Sequence, residues 1–71
     1  MRYLVEVERE TDGRWIAEVG ELPGVMAYGG TQEEAVAKAE ALALRVIADR
    51  IEHGELVGEP SVSFRAAVPA E

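Results

Sequence analysis

The sequence predicts an α+β domain of order β-β-β-α-β, an antiparallel sheet with one amphipathic helix packed on one face. Three observations lead there. Tyr3, Val5 and Val7 alternate with Leu4, Glu6 and Glu8, and Trp15, Ala17 and Val19 with Ile16 and Glu18, the period of half-buried strands with one more polar face. From Ala35 to Ile51 the apolar residues recur at spacings of three and four, the pattern of a helix with one buried face. Beyond Gly54 the period of two returns, in Val62, Phe64, Ala66 and Val68.

The first strand is expected from Arg2 to Glu10, with Tyr3, Val5 and Val7 on its apolar side. Trp15, Ala17 and Val19 form the matching side of the second strand. A two-residue loop at Asp12 and Gly13 would set Val7 opposite Glu18 and waste the apolar face. A three-residue loop, with Thr11 and Asp12 right-handed and Gly13 left-handed, sets Val7 opposite Ala17 and Val5 opposite Val19. This register places Glu6 opposite Glu18, a mildly unfavourable like-charge pair. Leu22, Pro23, Gly24 and Val25 are a type II turn signal, since proline fixes φ at the second position and glycine accepts positive φ at the third. Val25 to Tyr28 is a short third strand, broken by Gly29 and Gly30.

Thr31, Gln32, Glu33 and Glu34 read as a capping box: the threonine hydroxyl accepts from the backbone N–H of Glu34, and the Glu34 carboxylate reaches back to the N–H of Thr31. The helix that follows spans about 22 residues and stops near His53, with Gly54 beyond it. Its inner side is Ala35, Val36, Ala39, Leu42, Ala43, Val46, Ile47 and Ile51; alanines at 35, 37, 39, 41 and 43 let it lie close to the sheet. A linker from Glu55 to Pro60 leads to the fourth strand, Val62 to Val68, and the tail from Pro69 is expected to fray.

The 71 residues form a single domain, 1–71, because a core needs roughly 50 residues or more. So small a core is marginal, and a homo-oligomer, a dimer or higher, is expected, with the fourth strand as an open edge. No cysteine is present, which excludes disulfides and thiolate zinc sites. The net charge of −7 repels phosphate backbones and anionic lipid, so no direct nucleic-acid binding and no membrane binding are expected. No stretch reads as a signal peptide or a membrane span, and a cytoplasmic location is expected.

Candidate chemistry is sparse. Glu6, Glu8 and Glu18 on neighbouring strands could hold a divalent cation, but acidic alternation on a strand is ordinarily a solvated face. His53 has no cysteine or second histidine to join it and reads as a helix-end residue favoured by the dipole. Ser61, Ser63, Thr11 and Thr31 lack a triad, and the acids at 33 and 34 occupy the helix end where a phosphate would sit. No enzymatic role, metal or cofactor is therefore expected. Trp15 suits an interface anchor as well as a core position, and Tyr28 is expected in the core.

Tyr3, Val5, Val7, Asp12, Gly13, Trp15, Ala17, Glu18, Leu22, Pro23, Gly24, Gly30, Thr31, Glu33, Glu34 and Ala35, in this order and spacing, resemble the HicB antitoxin family over nearly the whole chain. The resemblance implies a degenerate ribonuclease H-like domain that binds and inhibits HicA, a small basic RNA-cleaving toxin. Gly13, Pro23, Gly24, Thr31 and Glu34 are its structural motif. Glu21, Val25 and Gly30 depart from residues common in the family, and the C-terminal DNA-binding segment of many HicB proteins is not expected here, nor is autorepression. The leading expectation is a protein-binding module that neutralises a HicA-type toxin by covering its RNA-binding surface, with Trp15, Glu18, Glu21, Glu33 and Glu40 as contact candidates. An orphan oligomeric scaffold of the same fold is the alternative, and a metal-dependent nuclease using the three strand glutamates is a more distant one.

Overall fold

The computed structural model describes residues 2–55 and 61–68. Strands β1 (Arg2–Arg9), β2 (Trp15–Val19) and β3 (Met26–Gly29) precede helix α1 (Gln32–Glu52), and β4 (Ser63–Ala67) follows it. The sheet order is β3-β2-β1-β4.

The β1–β2 pairing sets Val5 opposite Val19, Val7 opposite Ala17 and Glu6 opposite Glu18, the register of the three-residue loop. Gly13 adopts φ +92° and its N–H reaches the carbonyl of Glu10 at 3.0 Å. Asp12 holds the loop from the side, accepting from the backbone N–H of Arg14 at 3.0 Å and from Arg14 Nε at 2.7 Å. The type II turn also forms, with Gly24 at φ +83° and a 3.1 Å bond from the Val25 N–H to the Leu22 carbonyl.

The sheet is mixed, which corrects the expectation of antiparallel pairing throughout: β4 runs parallel to β1. The cause is the crossover. β1 and β3 point the same way, both being antiparallel to β2, and a helix between β3 and β4 returns the chain to the end where β3 began, so the next strand repeats that direction.

One face of the sheet and α1 enclose the core. Val5, Ala17, Val19, Ala35, Ala39 and Ala43 are 0% exposed, so of the five alanines only those at 35, 39 and 43, one turn apart on one stripe, line the contact; Ala37 and Ala41 face outward. Val36, Leu42 and Val46 pack at the margin, while Ile51 is 39% exposed. Leu22 and Val25, contributed by the turn, are also core residues.

Gly29 is the last residue of β3 and buried, rather than a breaker beyond it. A Cβ there would lie 2.5 Å from the Ala35 backbone nitrogen, so absence of a side chain lets the helix start press onto the strand. Thr31 caps the helix, its Oγ1 accepting from the Glu34 N–H at 3.1 Å. The returning bond differs from the expected one: Glu34 accepts from the Gly30 N–H at 3.4 Å, not from Thr31, and also pairs with Lys38 Nζ at 3.1 Å. At the other end His53 is the C-cap, and bonds from Gly54 N–H to Ile51 and from Glu55 N–H to Arg50 close a Schellman motif. Nδ1 of His53 lies 2.7 Å from the Asp49 carbonyl.

The fourth strand is shorter than expected, and its inner side is only half covered: Phe64 is half-buried, while Ala66 is exposed. α1 lies over β3 and β2, reaches β1 and barely touches β4. The expected linker at 56–60 and tail at 69–71 fall outside the described residues.

Candidate functional site

Because α1 covers one sheet face only, the alternate residues of every strand form a second, open face. The register lays them out in rows. Tyr28, Ile16 and Glu8 form one row across β3, β2 and β1, and Met26, Glu18, Glu6 and Ala67 form the next across all four strands. Leu4 and Arg65 follow, then Arg2 and Ser63. The face thus has an acidic centre, apolar side chains between and beside the acids, and arginines towards one end.

Glu6, Glu8, Glu18 and Ile16 line a shallow depression of about 130 Å³. A second, of about 400 Å³, shares Glu6 and Glu8 and extends over Leu4 to Ala67 and Val68. Among the described residues no group of three acids or histidines could hold a metal ion. Adjacent outward residues on a strand stand about 7 Å apart, which separates Glu8 from Glu6.

Tyr28 belongs to this face, 39% exposed, beside Met26 at 46%, which corrects its assignment to the core. Ala27 and Gly29 occupy the inner phase of β3, where the Ala35 backbone leaves no room for a side chain at Gly29, so Tyr28 turns outward. The Arg14 guanidinium lies over its ring, 4.5 Å from the centroid, and the same side chain pairs with Asp12. That chain of contacts ties the β1–β2 turn to the outer strand. Hydrogen bonds from the Arg14 backbone N–H and then its side chain hold the Asp12 carboxyl below its usual range.

The five contact candidates do not form one patch. Glu18 sits at the centre of the open face. Trp15 is on the opposite, helix-side face, half-buried against the core. Glu21 lies at the arginine end, in a depression with Arg2, Leu4 and Arg65. Glu33 and Glu40, two turns apart on α1, rim a groove of about 300 Å³ floored by Val36, Ala37 and Ala66. Sequence reasoning did not single out Leu4, Ile16 and Met26 as a surface. The signal was available in β3, where the small residues at 27 and 29 fix which side faces the helix.

No family model, curated protein or solved structure matches the chain. No helix among the described residues is long and apolar enough to cross a membrane.

Proposed function

We propose that this chain is a protein-binding module of HicB antitoxin type, which neutralises a small basic HicA-type RNA-cleaving toxin by covering its RNA-binding surface. One observation carries the reading: the open sheet face sets Glu6, Glu8 and Glu18 among Leu4, Ile16, Met26 and Tyr28. Met26 and Tyr28, exposed, and Leu4 and Ile16, half-buried, supply contact area, and the acids select a cationic partner and speed its approach, an effect strengthened by the net charge of −7. The motif order described above supports the family, and the mixed sheet with its single helix is in keeping with a degenerate ribonuclease H-like domain. The protein acts by occupancy, without catalysis, cofactor or metal, in the cytoplasm.

The test is co-expression with a small basic toxin encoded beside it, followed by affinity measurement on the purified pair. Growth is restored and a complex forms; no binding to any such protein ends the proposal. Glu18→Lys separates binding from folding. Removing the repulsion across from Glu6 raises stability by about 0.5 kcal/mol, yet affinity falls roughly tenfold and the salt dependence of association weakens. Unchanged affinity would move the interface off this face, and the same substitution at Glu33 or Glu40 would then locate it on the helix.

A further inference from the structure

We infer that the chain pairs with a second copy of itself along the free edge of β4, antiparallel about a two-fold axis at Ala66, to make one continuous eight-stranded sheet. The inference does not rest on the toxin reading. Among the described residues β4 pairs with β1 on one side only, which leaves a row of backbone donors and acceptors along the other edge.

Three features of this edge select a second copy. The first is charge. Two chains of −7 repel each other, but Ser61 to Val68 contains Arg65 and no acid, so this segment opposes self-approach least. The other edge, β3, has four residues and is bounded by a turn and the helix start.

The second is register. Centring the axis on Ala66 sets Phe64 opposite the partner's Val68, Ala66 opposite the partner's Ala66, and Arg65 opposite the partner's Ala67. Apolar residues then meet on the helix side, and no two charges face each other. Centring it on Arg65 would oppose two guanidiniums, which is unfavourable. Either phase of an antiparallel ladder can close about such an axis.

The third is what lies bare beside the edge. On the helix side Ala66 is exposed, Val68 just past the end of the strand is 40% exposed, and the groove between β4 and α1 has Val36 and Ala37 on its wall. Phe64, already 5.9 Å from the Tyr3 ring between centroids, is covered on its outer side by the partner's Val68. The same contacts repeat by symmetry, as an isologous interface requires.

Sedimentation or light scattering of the purified chain at micromolar concentration should report a dimer, tighter in 0.5 M salt than at low salt as the charge repulsion is screened. Ala66→Glu puts two carboxylates face to face across the axis and should give a monomer with an unchanged far-UV dichroism spectrum. Ala66→Cys supplies a sharper reading, because the chain has no other thiol. Directly opposed residues stand about 4.5 to 5.5 Å apart between Cα atoms, within disulfide range, so mild oxidation should link most of the protein into covalent dimers. Arg65→Cys, displaced by two residues from its own copy, should link far less. A monomeric parent chain, a dimer that survives Ala66→Glu, or a dimer in which the Ala66→Cys variant fails to cross-link would each overturn the inference.

Discussion

The meander β1–β2–β3 under α1 and the strand β4 beside it are built from similar alternating sequence, yet they are held in different ways. In the meander Val5, Val7, Val19, Leu22 and Val25 lie at 2% exposure or less, closed over by the alanine stripe of the helix. In β4 no side chain is fully buried, and the strand depends on its ladder to β1 and on the contact of Phe64 with Tyr3. The helix begins directly after β3 at one side of the sheet and covers the strands nearest its start. Stability is therefore concentrated in one part of the molecule, and available surface in the other.

The largest effect is expected where the helix meets the meander. Gly29→Ala forces a methyl group against the Ala35 backbone, which cannot yield as a flexible side chain would, and should cost about 3 kcal/mol. In a domain of this size that lowers the melting temperature by roughly 12 to 24 °C. A shift of only a degree or two by calorimetry would show that the helix start can lift from β3.

A pair of truncations tests the contrast itself. Leu22→Ala should lose about 3 kcal/mol in denaturant titrations, as for other buried leucines. Phe64→Ala removes a larger side chain from a half-covered site and should lose only about 1 to 2 kcal/mol in dilute solution. Equal losses would break the comparison, and a Phe64 effect that grows with protein concentration would sharpen it, since coverage by a second copy is then contributing.

Loss of the helix cap ranks next. Thr31→Ala leaves the Glu34 N–H without its oxygen acceptor and should lower stability by about 1 kcal/mol, with little change in partner affinity measured well below the melting point. Abolished binding with an unchanged melting temperature would make Thr31 an interface residue instead.

The smallest effect is electrostatic and concerns pH. The Lys38 ammonium, then the Gly30 N–H, hold the Glu34 carboxyl below its ordinary value of 4.5, and Asp12 is held below 3.8 by Arg14. A carboxyl depressed in the folded state contributes stability above its unfolded pKa and loses it as pH falls through the folded value. Melting temperature should therefore decline as pH drops below about 4.5, and Lys38→Met should flatten the upper part of that decline. Both carboxyls face solvent, about half exposed, so the slope is shallow.

Legibility from sequence followed the range of the interactions concerned. The β1–β2 register, both turns, the threonine cap and the helix stop are set by residues a few positions apart, and the residues themselves pointed to them. The direction of β4 was not legible because it depends on where a 21-residue helix delivers the chain, not on anything within the strand. Tyr28 was misplaced because four residues of β3 carry too little alternation to fix a phase until the helix above them is considered. The return of Glu34 to Gly30 in place of Thr31 involves a residue ahead of the cap, which the four-residue cap pattern leaves out. Of the contact candidates, acidity alone could identify glutamates at 18, 21, 33 and 40, but only the sheet and helix geometry distributes them over three separate places.

The position of Trp15 has an optical consequence. It is the chain's single tryptophan, half-buried on the helix side of the sheet, while Tyr28 stands on the other side. Emission from the indole is a report on whether the two layers stay together, and a ligand seated on the far side should leave its wavelength nearly unmoved. A binding titration followed through Trp15 would then be silent while the complex forms in full, and a label placed beside Tyr28 would register it.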